Sequence, residues 1–343
     1  RSTIQLQTSR PLWPGATLDL QMKSDFGFSR NQRVVTNALG VPEFTNVNIR
    51  STLERSFLSI PSWFIFAGLG NNMQTVADTY LAERDRLEVE EPDETVRAQR
   101  LREALSSAFL NGFESFQLWT GELARIMPAL NWTLRWDGIE KLPFLKGVAT
   151  RVFLEHGYAS TYTENARVND NGRIIEVQQI QTGFKPLIGL TANFDEKALK
   201  GVLTANLRYN LTTAHNLNAS AGATVQRDDQ QELQIQASYL RRGVALKFLG
   251  FDLENDLEFS FLTQIRRSVQ RRYDILAFNP DGEIVQGTMQ ITIEPRARYT
   301  ISNRVTASAF ARYEGNINEG ATSPGFSTTQ VGVDIRLSIS GGR

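Results

Sequence analysis

His156, Ser160 and Glu155 fall within six residues of one another and supply the residue types of a base, a nucleophile and an orienting acid. Side chains alternate along a strand, so Glu155 faces away from His156 and Ser160 there, and no local triad assembles. The three are read as structural, and no catalytic residue is assigned. The other histidine, His215, stands beside Asn216 with no second histidine or acid at metal-ligand spacing. The chain contains no cysteine, which removes disulfide scaffolds, zinc clusters and thiol catalysis together, so no metal and no cofactor is expected. The densest basic cluster, Arg266, Arg267, Arg271 and Arg272, has the chemistry to meet lipopolysaccharide phosphates or a cargo surface. Ordinary solvated strand extension is the favoured reading, because Lys+Arg and Asp+Glu both number 37 and leave no basic excess for a nucleic-acid partner.

The elements that carry these residues are signalled by period-two alternation between turn clusters. Val331, Val333, Ile335, Leu337 and Ile339 point one way, while Gln330, Asp334, Arg336 and Ser338 point the other. The same pattern runs through Val305–Tyr313, Met289–Ile293, Leu257–Phe261, Leu233–Tyr239, Leu203–Leu211 and Leu18–Phe28. Turns are expected at Asn169–Gly172, Arg227–Asp229, Asn279–Gly282 and Ser302–Asn303, and roughly eleven or twelve strands result. A strand that is apolar on one face and polar on the other lies between two media. The reading is therefore all-β, with antiparallel transmembrane strands forming part of a very large β-barrel, although the mean hydropathy is negative. No apolar run reaches the ~18 residues of a membrane helix. The aromatics Trp132, Trp136, Tyr158, Tyr162, Tyr273 and Tyr313 are expected to form interfacial girdles.

One stretch breaks the alternation. From about Asn72 to Met127 the spacing is helical: Pro92 and Asp93 start a helix, acids from Glu88 to Glu94 suit its positive end, and apolar residues recur on one face. Leu101, Leu105, Phe109 and Phe113 are the candidate partner-contact face of that insert, with Val96, Ala104, Ala108, Phe116 and Trp119 continuing it. The organisation expected is barrel strands over 1–71, a helical insert over 72–129, and barrel strands from 130 to 343. If strand 46–60 crosses fully and the short Trp132–Trp136 strand does not, the insert lies at the periplasmic mouth; if the short strand does cross, the parity changes and the helices lie outside the cell. The 148–340 strands then run up and down, with their turns near 169–173, 227–230, 279–283 and 315–325 outside and the chain end periplasmic. Because the chain opens at Arg1 on strand-like sequence, it is expected to be a piece of something longer or a processed product.

Residues 131–147, Asn-Trp-Thr-Leu-Arg-Trp-Asp-Gly-Ile-Glu-Lys-Leu-Pro-Phe-Leu-Lys-Gly, followed by Leu154-Glu-His-Gly-Tyr-Ala-Ser-Thr-Tyr162, resemble the SprA family, also called Sov. Its members carry a similar run of P-N-W-x-I-x-Y-x-G-L-x-K-hydrophobic-P and then H-G-Y-x-S-T-Y. The positions that carry the match are Asn131, Trp132, Gly138, Lys141, Pro143, His156, Gly157, Tyr158, Ser160, Thr161 and Tyr162. A second similarity runs from Phe184-Lys-Pro-Leu-Ile-Gly189 through Leu207-Arg-Tyr-Asn210 and Leu257-Glu-Phe-Ser-Phe261 to the chain end. The resemblance is weaker before residue 120, where Ala108-Phe-Leu110 and Trp119-Thr-Gly121 are similar to A-F-L-A-A-Y-T-G. It is weakest over 72–107.

The resemblance implies the C-terminal portion of the type IX secretion translocon, a wide outer-membrane pore that passes folded cargo outward. Its implied partners are the remainder of the barrel, secreted cargo proteins, accessory outer-membrane and periplasmic secretion proteins, and outer-membrane lipid. A self-contained pore for small solutes is the alternative. It would need the chain to close on itself.

Overall fold

The computed structural model describes residues 1–36, 39–58, 72–114, 126–143, 145–169, 172–219, 222–248, 251–302, 304–320 and 324–337. Twelve strands form one sheet. They are β1 (Ser2–Trp13), β2 (Ala16–Thr36), β3 (Pro42–Ser56), β4 (Asn131–Asp137), β5 (Ala149–Asn169) and β6 (Gly172–Phe194), then β7 (Val202–Asn218), β8 (Thr224–Phe248), β9 (Phe251–Asp274), β10 (Glu283–Ser302), β11 (Val305–Glu319) and β12 (Phe326–Leu337). Every pairing between them is antiparallel, and from β5 to β12 each strand pairs with the next in sequence. The path starts at β1 and ends at β12. The helices are α1 (Asn72–Glu90), α2 (Glu94–Phe113) and the single turn α3 (Glu196–Leu199).

β3 and β4 share one strand position. β2 pairs with β3 over Ser24–Thr36 and with β4 over Ala16–Gln21, while β5 pairs with β3 over Thr161–Val168 and with β4 over Phe153–Tyr158. The chain therefore leaves the sheet in mid-strand after Phe57 and returns at Ala129. Polar side chains close the gap. The Ala129 N–H donates to Ser56 O at 2.8 Å, the Ser56 hydroxyl donates to Ala129 O at 2.5 Å, and the Ser24 hydroxyl donates to Ile126 O at 2.6 Å. Two sequence expectations are corrected here. Strand 46–60 ends at Ser56, and the Trp132–Trp136 strand supplies the other half of the same strand position between β2 and β5.

Between these halves α1 and α2 fold back over the sheet. Asp93 caps α2, its side chain accepting from the Thr95 and Val96 N–H groups. Glu88 and Glu90 lie in the last turn of α1, at its negative end, and are offset by Arg84 and Arg86 one turn earlier. Leu105, Phe109 and Phe113 are 3%, 0% and 2% exposed, with Leu101 partly buried beside them. They pack with Met73, Val76 and Tyr80 of α1 onto Leu53, Tyr162, Ile180, Leu217 and Tyr273 of the sheet. The apolar stripe thus packs on the sheet of its own chain. Val96 is outside the contact at 40% exposure, and Phe116 and Trp119 lie outside the described residues.

Leu217 and Val225 flank the β7–β8 reversal, and Tyr273 and Ile275 precede the β9–β10 reversal. The helices therefore sit at the same end of the sheet as the 169–173 and 279–283 turns, not at the opposite end as the crossing count implied. A turn at Arg227–Asp229 is also corrected: these residues lie inside β8, and the reversal falls between Asn218 and Thr224. β11 runs to Glu319, so the last reversal spans 320–325.

Replacing Phe109 by Ala removes a fully buried ring and is expected to cost about 3–5 kcal/mol of docking stability. Trypsin should then cut at Arg84, Arg86 and Arg97 many times faster while β7–β12 stay protected. Unchanged cleavage of the helices would contradict their seating on the sheet.

Candidate functional site

The two faces of the sheet differ in chemistry, and the register assigns each residue to one of them. On one face lie Leu203–Leu211 of β7, Leu233–Tyr239 of β8, Leu257–Ile265 of β9, Met289–Tyr299 of β10, Val305–Tyr313 of β11 and Val331–Leu337 of β12, each at every second position. Toward the helix end this face turns charged. Asp229 binds both Arg227 and Arg271, at 2.9 and 2.8 Å, and Arg267 meets Glu319 at 2.7 Å. The helix pair lies on this same side, beyond the apolar band.

The opposite face is polar, and most of its charges are paired. Arg135 stands between Asp19 at 2.9 Å and Glu155 at 3.8 Å, and Glu155 also faces Arg208 at 3.9 Å. Further along, Glu232 accepts from Arg266, Gln264 and Asn210. Glu258 pairs with Arg298, and Glu294 with Arg296 and Arg312. An open groove of about 620 Å³ on this wall is bordered by Lys185, Arg208, Asn210, Gln230, Glu232 and Arg266. Exposed pairs of this kind contribute only about 0–1 kcal/mol each; their effect is to leave little local field.

Each arginine of the basic cluster has an acid. Arg266 takes Glu232, Arg267 takes Glu319, Arg271 takes Asp229, and Arg272 takes Glu283 at 2.6 Å. Lipopolysaccharide phosphates would have to displace these carboxylates, which favours the strand-extension reading.

The motif residues gather around the split strand. Asn131 opens β4, and its side-chain oxygen accepts from the Ser160 N–H at 2.9 Å. Trp132 stacks on Tyr158 with ring centroids 4.4 Å apart, and Tyr158 meets Phe184 at 5.1 Å. Trp136 packs edge-on against Trp13 at 5.5 Å. Gly138, at φ 99°, turns the chain out of β4 into a 3₁₀ turn, Ile139–Lys141, which Pro143 follows at the surface. Gly157 permits close approach of a neighbouring strand, since a Cβ there would lie 3.1 Å from Lys185 O. Thr161 lies opposite Gln181 in the β5–β6 ladder.

His156 and Ser160 do not meet an acid. The His156 Nδ1 is 2.7 Å from Leu187 O, Ser160 is fully buried, and Glu155 is held on the polar face by Arg135. His215 packs under Phe113 with ring centroids 4.4 Å apart. A buried ionic cluster that sequence reasoning missed surrounds Tyr162. Its hydroxyl donates to Glu164 at 2.5 Å and accepts from Gln178 at 2.7 Å, while Arg173 meets Glu164 at 2.5 Å. Arg55, 2% exposed, lies over the Phe57 and Tyr162 rings at 5.1 and 5.4 Å and reaches Glu114 at 3.4 Å. The signal available in the sequence was Glu164 two residues from Tyr162, on the face that every other position makes apolar. Tyr158, Tyr162 and Tyr273 are 2%, 0% and 3% exposed. They are interior residues, not members of an open girdle.

Among known proteins, no protein-family model and no curated protein matches this chain.

Glu164→Ala leaves the Arg173 guanidinium and the Tyr162 hydroxyl without their shared acceptor, and should cost about 3–5 kcal/mol. Tyr162→Phe removes one hydrogen bond and should cost about 1 kcal/mol. Thermal melts of the two variants test the cluster; equal losses would show that it is not organised around Glu164.

Proposed function

We propose that this chain is an arc of a transmembrane β-barrel in the bacterial outer membrane, and that the barrel is the protein-conducting pore of a type IX secretion system. One observation carries the membrane reading. The apolar band is about one strand crossing tall on β7, where Leu203–Leu211 match the ~9–11 residues a tilted strand needs, and between β7 and β12 it shifts along the strands. The row that starts at Leu203 passes through Tyr239, Phe259, Ala297 and Ala309 to Val333. On β7 the band lies wholly above that row; on β12, Val331–Leu337, it lies mostly below. The centre shifts by roughly five residues over five strand steps, about 17 Å against about 24 Å, an inclination of about 35°. Barrel strands tilt by about 35–45° across a bilayer, so a flat apolar slab cut through tilted strands gives this pattern.

The charge-compensated face is then the water-facing wall. It would touch passing cargo without holding it, since few of its charges lack a nearby opposite. The secretion reading rests on the residue 131–162 motif and on the stacked core those residues build. The sheet path ends at β1 and β12, which favours an arc over a self-contained small-solute pore: these edges would take the remainder of the barrel. Accessory outer-membrane and periplasmic proteins, secreted cargo and outer-membrane lipid are the proposed partners. The proposed role is conduction, not catalysis.

The reversals at the end away from the helices include three tight ones, Trp13 to Ala16, Phe248 to Phe251 and Ser302 to Val305, against one at the helix end, Asn169 to Gly172. Short turns face the periplasm in outer-membrane barrels and longer loops face outward. The helical hairpin accordingly lies on the cell exterior. The orientation is testable because the chain has no native cysteine: Asp281→Cys should react with an impermeant maleimide on intact cells, and Arg304→Cys only after the outer membrane is opened. The reverse order would invert the topology.

Val333→Arg places a charge in mid-bilayer on the lipid face and should cost about 2–4 kcal/mol. It should block assembly in outer membranes, whereas Asp334→Arg, on the wall, should not. If both variants assemble equally, the membrane band is lost as an explanation.

A further inference from the structure

The apolar face is not uniformly filled. A groove of about 590 Å³ crosses it from Leu203 on β7 to Val331 and Val333 on β12, passing Tyr239 and Phe261 and widening over the small side chains of Ala297, Ala309 and Ala311. It follows the strand-to-strand rows, so it lies across the strands and at about 35° to the plane of the proposed membrane. Over five strand spacings of ~4.8 Å it runs about 24 Å and climbs about 14 Å. That rise matches one leaflet, half of a hydrocarbon core about 30 Å thick.

The lower mouth of the groove, at Leu203 and Tyr239, lies on the margin of the apolar band. Arg241 stands there, two residues past Tyr239 on the same face by alternation, and is exposed. No carboxylate meets it among the described residues. This contrasts with the far margin of the band, where Arg227, Arg267 and Arg271 all have acids. Two tyrosines frame the mouth. The Tyr239 hydroxyl donates to Leu199 O at 3.0 Å and the Tyr299 hydroxyl to Val244 O at 3.1 Å, which pins the backbone around the Arg241 guanidinium.

We infer that this groove is a phospholipid site, with one acyl chain lying along the alanine floor and the phosphate met by Arg241. The occupant follows from the two ends together: an apolar channel one leaflet deep, rooted at a cation at the interface that no acid meets among the described residues. Another protein's apolar segment would have no use for that cation. The inference rests on the membrane reading above, and its test separates the two.

The whole protein, purified from outer membranes, is reconstituted in phosphatidylcholine vesicles containing a trace of phosphatidylglycerol with a diazirine in mid-chain, and crosslinks are mapped by peptide mass spectrometry. Crosslinks should concentrate on the peptides holding Ala297, Ala309 and Ala311. Ala309→Phe, which fills the floor, should abolish that concentration. Arg241→Gln should reduce it about fivefold, the weight of one interfacial cation, yet leave unchanged the crosslinking of a diacylglycerol with the same diazirine. Uniform crosslinking along the whole apolar band, indifferent to both substitutions, would overturn the lipid site and leave the membrane reading intact. Absence of crosslinks anywhere on the apolar face would overturn both.

Discussion

Side chains on a strand must alternate, and here one alternate set is apolar while the other is charged or amidic; the rest of the architecture follows from that constraint. A soluble sheet resolves it by packing its apolar face on a second layer. Among the described residues this sheet is covered at one end, where the helical hairpin lies. Val331, Val333, Ile335 and Leu337 are 63–76% exposed, and β9 to β11 carry the same uncovered stripe. On the proposed membrane reading, the surrounding of those side chains is the hydrocarbon of a bilayer.

The helix end solves the same problem by a different route. Beyond the band the strands continue, but their apolar-side positions become Thr213, His215, Arg227, Asp229 and Arg271, and most of the apolar residues that persist are covered by α1 and α2. Charges that would be costly in hydrocarbon are paired under or beside the helices. The hairpin acts as a lid on a stretch of sheet that is too apolar for water and too charged for lipid. Tyr162, with Glu164, Gln178 and Arg173 around it, is where that compromise is tightest.

Alternation made most strands readable in advance, because β7 to β12 keep one parity through the band without a bulge. It failed where both faces become polar. Arg227-Asp228-Asp229 has the composition of a turn, yet Asp228 and Asp229 face opposite sides and each has its own partners, Asn216 and Gln270 for one and Arg227 and Arg271 for the other. Trp132–Trp136 is too short to look like a crossing, and only its pairing with both β2 and β5 reveals that it completes β3. The helical stripe was legible from Leu105, Phe109 and Phe113, but its partner was not, since Leu53, Ile180, Leu217 and Tyr273 come from four distant strands. The aromatics read as a girdle by composition alone; stacking of Trp132 on Tyr158 and burial of Tyr162 and Tyr273 are tertiary facts.

The mid-strand departure at Phe57 and return at Ala129 makes the helical hairpin neutral with respect to strand number. An insertion placed in a turn leaves parity alone but lengthens a loop; one that adds a strand would reverse the direction of everything after it. Here about seventy residues enter and leave through a gap bridged by Ser56 and Ser24, and β2 and β5 each pair with both β3 and β4 as if the two were one continuous strand. The appendage is therefore modular in the topological sense. Its length and surface are free to change while the strand number and register of the sheet stay fixed, and variation in this segment carries no information about how many strands the sheet has.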